Sequence, residues 1–569
     1  MSGLQRAMLA TVFGALLAWP LAACAGLPDP NADPLLVAQR HLRQSRQWLA
    51  ASCDLLGRCD RHAIDGYYVA CEEAWNAAWT CPGSPDILGE AGELYADALA
   101  GFLEAARQHG RLTSAGVWLG TRSRSILVPL QPRALPIDAA AIASVEPQAQ
   151  VEDGRVSRRH VRSGFGLPVV VRVASAGAAT ERQSLAATAV LRFRVPGEET
   201  RLQKFAGPAA RDHAAAVLDL ANPVEIAAVH IGPVRSDLAA DLTAPLLDVL
   251  AAKPSTSSVQ GFIQPFGRGD TQPRLEMLEP HQPGRIPVVF IHGLASDEGT
   301  WFDMINELRS WPMFHRTFEP WVFHYPTGAG FMQSSAALRR QLTLKVRELD
   351  PSGTDPALRS MVLVGHSMGG LHAKLQVVDP GDALWDAICT VPFDQVRLRP
   401  EIRAFLRQTY FFEPVPFVKR AVFIATPHRG SILASLGVGR LASLAVRSPP
   451  RNKAIHAEVV SLNPGAFRPE YERAAPTTID LLEPKSSLLQ AIEKLRVPCW
   501  VTCHSIVGNG HHSLTGGRDD CVVSVASAHT PFAVSEIQVP ATHTKVHHHP
   551  TTLAELKRIL LQHLAEIGR

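Results

Sequence analysis

The stretch Met361-Val362-Leu363-Val364-Gly365-His366-Ser367-Met368-Gly369-Gly370 constrains this chain more than any other. Its first four residues are apolar, two of them β-branched, and read as a short strand buried on both faces. Gly-x-Ser-x-Gly follows at once, with a helical pattern after it, so the serine falls on a strand-to-helix turn. Such a turn strains the serine backbone and needs glycine two residues to either side, so that neighbouring backbone can approach. It presents a hydroxyl above the sheet, beside a helix N-terminus whose N–H groups stabilise developing negative charge. Ser367 is therefore the candidate nucleophile.

From Ile286 onward strand and helix patterns alternate. Pro287–Ile291 is a continuous apolar run ending at His292-Gly293, and Ala421–Ala425, Trp500–Val507 and Ile537–Val539 read as further strands. Thr300–Trp311, Ser334–Leu349 and Thr552–Ile567 read as helices. This alternation predicts an α/β fold with a mainly parallel sheet and helices on both faces. The intervals 375–418 and 431–498 exceed ordinary connections and are expected to be cap insertions.

A serine hydroxyl is a weak nucleophile at neutral pH and needs a base, itself oriented by an acid. On such sheets the acid and then the base follow the serine in chain order. Asp520, in Asp519-Asp520-Cys521, is the candidate acid, and His543, just past the Ile537–Val539 strand, is the candidate base. Imidazole suits the task because its unperturbed pKa of about 6.5 lets it take and return a proton near neutrality. Asp519 and His547 are the alternatives. The candidate oxyanion donors are the backbone N–H groups of Met368 and Leu294, with Gly293 letting the second loop come close. His511, His512, His547, His548 and His549 read as solvated loop histidines, since no His-Glu-x-x-His pattern accompanies them; a metal site from these clustered histidines is the alternative. No metal and no organic cofactor is expected.

Pro287–Trp301 (PVVFIHGLASDEGTW), Val364–Leu371 (VGHSMGGL), Phe423–Ser431 (FIATPHRGS), Asp520–Val523 and the His543 segment together resemble the α/β-hydrolase superfamily. The resemblance is to its lipase and esterase branch, which includes inositol deacylases of glycosylphosphatidylinositol anchors and large bacterial lipoprotein hydrolases. It covers about Ile286 to Arg569. It implies an α/β-hydrolase fold with cap insertions, and cleavage of small-molecule or lipid carboxylic esters through an acyl-enzyme. Ser367, His543 and Asp520 would be nucleophile, base and acid. Acyl transfer by the same residues is one alternative, and a non-catalytic envelope lipoprotein is another. Members often have Asp-Gly where this chain has Asp520-Cys521, and Cys521 could instead be tied to Cys499 or Cys503. Thr426–Gly430 is similar to a loop near the active site of lipase relatives, with a structural or substrate-lining part.

The other half of the chain carries less chemistry. At 569 residues it is too long for one core, so two or three domains are expected. Net charge is only +3, which gives no electrostatic case for a nucleic-acid partner. Residues 1–24 read as a signal: Arg6, an apolar run from Ala7 to Leu21, then Leu21-Ala22-Ala23-Cys24, which resembles the bacterial lipobox. That resemblance implies acylation of Cys24 and a protein anchored to a membrane of the bacterial cell envelope. Ala25 stands where inner-membrane retention would resemble Asp, which favours the outer membrane; an ordinary secretory signal is the alternative. The eight remaining cysteines, an even and clustered set in an oxidising compartment, predict disulfides. Zinc is the alternative for Cys53, Cys59, Cys71 and Cys81. Residues 25–111 read as helical and 112–234 as a β-rich module. Residues 235–285 read as a helix (Leu238–Leu250) and linker, and 286–569 as the catalytic domain.

Overall fold

A computed structural model describes residues 33–569, apart from 122–123, 148–153, 175–182, 194–215, 233, 253–271, 295, 297, 327–329, 432–449, 474–477 and 513–516. The Cys24 segment therefore lies outside the described residues. The chain divides into two compact units, one containing described residues up to 152 with 159–249, the other those within 153–158 and 250–569. No described helix is long and apolar enough to cross a membrane.

The first unit opens with three helices, Pro34–Gly57, Ala63–Thr80 and Pro85–Gln108. Two of them begin on a capping side chain. Asp33 accepts from the Leu35 N–H at 2.9 Å and Ser84 from the Ile87 N–H at 3.4 Å. Each cap is followed by proline, which has no N–H to leave unpaired. A seven-stranded sheet follows, in the order Leu112–Thr113, Gly116–Thr121, Arg124–Arg133, Ala216–Ala221, Ser184–Phe193, Leu167–Val173, Ile142–Pro147. The helical stretch and the β-rich stretch read as separate pieces in the sequence, yet they share one core. Tyr95, Leu99, Phe102 and Leu103 are buried with Val171, Leu185, Val190 and Leu191. The Tyr95 hydroxyl also donates to the Leu191 carbonyl at 2.7 Å. Neither layer could bury its apolar face alone. One expectation differs in detail: the helix expected over Leu238–Leu250 is Ala244–Ala251. It starts late because Ala240–Asp241 pairs with Val161–Arg162.

The second unit is built on seven strands. These are β1 (Arg274–Met277), β2 (Ile286–Ile291), β3 (Phe318–His324), β4 (Met361–His366), β5 (Val418–Ile424), β6 (Thr502–Gly508) and β7 (Ala533–Val539). Their order is β1-β3-β2-β4-β5-β6-β7. β1 runs antiparallel to β3, and every other neighbouring pair is parallel. β2 and β4 are buried along their whole length, which is why each reads as an unbroken apolar run. The main helices are α1 (Phe302–Arg309), α2 (Phe331–Leu349), α3 (Met368–Lys374), α4 (Pro400–Tyr410), α5 (Pro450–Leu462) and α6 (Pro550–Glu566). α4 and α5 belong to the two long intervals expected as insertions. One core joins Val289, Ile291, Leu363 and Phe423 of the sheet to Leu338 and Leu342 of α2 and Leu371 of α3. Each such side chain contributes roughly 1.5–3 kcal/mol by leaving water.

Two strands were not legible. β1 lies in a stretch that reads as linker. β3 carries Glu319-Pro320, which argues against a buried strand. The carboxylate is tolerated there because it is satisfied: it accepts from Trp321 Nε1 at 3.0 Å and the Gln282 N–H at 3.2 Å, and pairs with His281 Nδ1 at 2.8 Å.

The disulfides expected from the cysteine count are not formed, and all eight described cysteines are free thiols. Cys71, inside a helix, and Cys503, on β6, are buried and pack as small apolar side chains. Cys521 is tied neither to Cys499 nor to Cys503.

Candidate active site

Ser367 occupies the single position between β4 and α3, with φ 55° and ψ −126°, a conformation that L-residues rarely adopt. Two contacts hold it there. Its N–H donates to the Ile424 carbonyl on the next strand at 2.8 Å, and its own carbonyl accepts from Gly370 at 3.0 Å. The flanking glycines answer a requirement for space. A Cβ on Gly365 would overlap the Gly369 carbonyl, and one on Gly369 would overlap the carbonyl oxygens of Ile291 and His292. Alanine at 369 gains about 1 kcal/mol of helix propensity, but the overlap is with backbone that cannot rotate away, at about 1–3 kcal/mol or more. Gly369→Ala is therefore expected to lower the denaturant midpoint of this unit. A midpoint equal to wild type would show that α3 does not press on β2 as described.

The end of β6 and the end of β7 supply the partners. His543 Nε2 lies 2.8 Å from Ser367 Oγ, and His543 Nδ1 lies 2.7 Å from Asp520 Oδ2. A carboxylate only accepts, so Nδ1 carries the proton and Nε2 turns its lone pair to the serine hydroxyl. The other carboxylate oxygen, Oδ1, accepts from the Val522 and Val523 N–H groups at 2.9 and 2.7 Å. The His543 N–H donates to the Asp520 carbonyl at 2.8 Å, so backbone as well as side chains joins the two loops. Ser367, His543 and Asp520 are all buried. The alternatives are engaged elsewhere. His547 Nε2 meets Thr300 Oγ1 at 2.8 Å, and Asp519 pairs with His511 Nδ1 at 2.8 Å.

Met368 opens α3, where the first N–H groups have no partner within the helix. Leu294 follows Gly293 in the loop after β2. That loop is close to the nucleophile: a Cβ on Gly293 would stand 2.9 Å from Ser367 Cβ. His292 is fully buried and stacks on Tyr325 at 4.3 Å. Thr426 packs against Gly370, while Arg429 is spent on Glu493 and on the carbonyls of Ala526 and His529.

Sequence reasoning did not find the group of rings behind His543. His366 lies 4.9 Å from the His543 ring and 4.3 Å from the His547 ring, with Trp301 5.6 Å from His547. His366 Nε2 lies 2.9 Å from the His543 carbonyl. Burial, reinforced by His547 and His543, pushes its pKa well below the ordinary imidazole value, so it is neutral and donates that bond. The only sequence signal was its place inside the motif; its partners lie 177 and more positions away.

Among the described residues a cavity of about 630 Å³ is walled by Phe405 and Tyr410 of α4, Ile455 and Val459 of α5, and Trp385. Phe331 is also in the wall, and its ring stacks on His372 of α3 at 4.3 Å. The wall comes largely from the two insertions and mixes these apolar side chains with Glu470, Arg473, Asp480, Glu483 and Lys485; Ser367, His543 and Asp520 do not line it.

No protein-family model and no curated protein matches this chain. Solved structures do. The mature lipase BlEst2 of Bacillus licheniformis is 17% identical, with 51% of this chain and 99% of that one covered and a TM-score of 0.31. The butyrate-bound esterase Est2 of Thermogutta terrifontis is 14% identical over 54% and 93%, with a TM-score of 0.29. Lipase 1 of Pelosinus fermentans is 14% identical over 49% and 98%, also at 0.29. The second unit has the α/β-hydrolase fold: a mainly parallel sheet, a serine on the turn after β4, and cap insertions after α3 and β5.

Proposed function

We propose that this protein is a serine hydrolase of carboxylic esters. The reading rests on one observation: a buried carboxylate, imidazole and hydroxyl joined at 2.7 and 2.8 Å, with the hydroxyl on a strained strand-to-helix turn. Ser367 Oγ attacks the ester carbonyl while His543 Nε2 takes its proton, and Asp520 stabilises the imidazolium. The N–H groups of Leu294 and Met368 hold the oxyanion. The alcohol leaves with the proton from His543, and water, activated by the same base, then releases the acid from the acyl-enzyme.

The substrate class is less strongly supported than the reaction. Phe331, Trp385, Phe405 and Tyr410 in the cavity wall favour an acyl chain, but the wall also carries Glu470, Arg473, Asp480, Glu483 and Lys485, and Ser367 and His543 are not part of it. A lipid ester of the cell envelope fits this, and the Leu21–Cys24 segment supports anchorage at that membrane through acylated Cys24. The resemblance to inositol deacylases and lipoprotein hydrolases supports the same substrate class.

An ester panel graded by acyl length tests this on the full chain in detergent. Activity is expected to rise from acetyl to medium acyl chains and to be quenched by a fluorophosphonate that labels Ser367. Labelling without turnover of any ester, but with transfer to an added alcohol, would make the chain an acyltransferase. Absence of labelling would end the hydrolase reading.

A further inference from the structure

The loop that presents Asp520 carries a second set of side chains that ester hydrolysis does not use. His511–His512 pairs antiparallel with Arg518–Asp519, so His511 and Asp519 face each other across the ladder, and Cys521 follows two residues on. A ring nitrogen of His511, a carboxylate oxygen of Asp519 and the Cys521 sulfur all lie within 4.8 Å of one another. Asp519 Oδ1 is already positioned: it accepts from His511 Nδ1 at 2.8 Å and from the Cys521 N–H at 2.9 Å. Asp519 is buried, whereas His511 and Cys521 are exposed, so solvent reaches the group.

Cys521 has φ 79°, in the left-handed region that glycine occupies without cost. The chain folds back there, and both the N–H and the sulfur of Cys521 approach Asp519. The thiol is not used in a disulfide. The Asp519 and Asp520 carboxylates favour a cation placed beside the sulfur.

We propose that His511, Asp519 and Cys521 form a binding site for a borderline divalent transition metal, of which zinc(II) fits best. A mixed nitrogen, sulfur and oxygen set suits zinc, whereas calcium and magnesium take oxygen donors in larger number. Three protein ligands leave a fourth, tetrahedral position for water. Binding takes the thiol as thiolate and releases its proton to solvent. The ligands stand on both sides of Asp520, whose Oδ2 holds His543. A bound ion therefore ties down the loop that presents the catalytic acid, and the site is separate from the ester chemistry itself.

Cobalt(II) and zinc(II) test this on the full chain after metal has been stripped with a chelator. One cobalt per chain is expected, with a sulfur-to-cobalt charge-transfer absorption that zinc abolishes by displacement. Cys521→Gly should remove that absorption, and should melt no lower than wild type in metal-free buffer, since glycine relieves the backbone. His511→Ala should weaken zinc binding by at least ~10–100-fold, the loss seen when even a supporting partner of a ligand is removed. Cys499→Ser, at another exposed cysteine, should leave the absorption in place. The proposal is overturned if the absorption persists in Cys521→Gly, if it disappears in Cys499→Ser, or if His511→Ala binds zinc as tightly as wild type.

Discussion

Ser367→Ala is expected to lower ester turnover by about 10⁴–10⁶-fold while leaving the protein folded. The hydroxyl is the atom His543 approaches at 2.8 Å, and its loss leaves only ground-state binding and the oxyanion donors. The fold survives because the main-chain contacts at 367, its N–H to Ile424 and its carbonyl to Gly370, do not involve the side chain. A second substitution separates strain from chemistry. Ser367→Gly should be equally inert but more stable than Ser367→Ala, because φ 55°, ψ −126° suits glycine. Relief of a strained residue is worth about 1–3 kcal/mol, and the flexibility of glycine returns about 0.5–1 of it. Paired turnover and melting measurements on the two variants decide both points. Ser367→Ala retaining more than about 1% of wild-type activity would remove Ser367 from the mechanism. A Ser367→Gly protein melting below Ser367→Ala would mean that the turn is not strained.

The second large effect is acid sensitivity of the second unit. Six of its histidines, His366, His372, His428, His504, His547 and His563, are almost wholly buried. Burial is the leading cause that lowers the pKa of each. His372 and His504 fall to about 3 and His563 to about 4, while His366, His428 and His547 lie well below the ordinary value. The unfolded chain takes up these protons near pH 6.5, and the folded chain does so only far below it. Across that window the unfolded state binds more protons, so stability is full above about pH 7 and declines as pH falls. Each site contributes up to ~1.4 kcal/mol per pH unit, and the six together up to about 8. Against a typical domain stability of about 5–15 kcal/mol, a loss on that scale is enough to lower the melting temperature markedly. The melting temperature of inert Ser367→Ala, followed by circular dichroism, should be flat from pH 8 to 7 and fall steeply between pH 6.5 and 5. Equal melting temperatures at pH 5 and pH 8 would mean that these rings are hydrated in the folded state.

Much of the active-site neighbourhood was legible because its constraints are local. Within ten residues the sequence carries a buried strand, a steric turn and a helix, and those three set where a strained serine can stand. The order of the remaining strands then pointed to the ends of β6 and β7, where Asp520 and His543 are found. Less could be read where one segment depends on a distant one. Glu319 sits inside β3 because His281, Gln282 and Trp321 satisfy it, and no local pattern reveals that. The cysteine count suggested bridges, but pairing depends on thiols meeting in space, and these do not.

The sequence alone determined that this chain builds a mainly parallel sheet with a strained serine on a strand-to-helix turn, since sterics and apolar periodicity act over a few residues. Tertiary structure decided which imidazole and which carboxylate meet the serine hydroxyl at that turn. His543 and His547 are four positions apart and Asp519 and Asp520 are adjacent, so composition and spacing hardly distinguish them. What separates them is the approach of loops 176 residues apart in the chain, which sends His547 to Thr300, Asp519 to His511, and leaves His543 and Asp520 in line with Ser367.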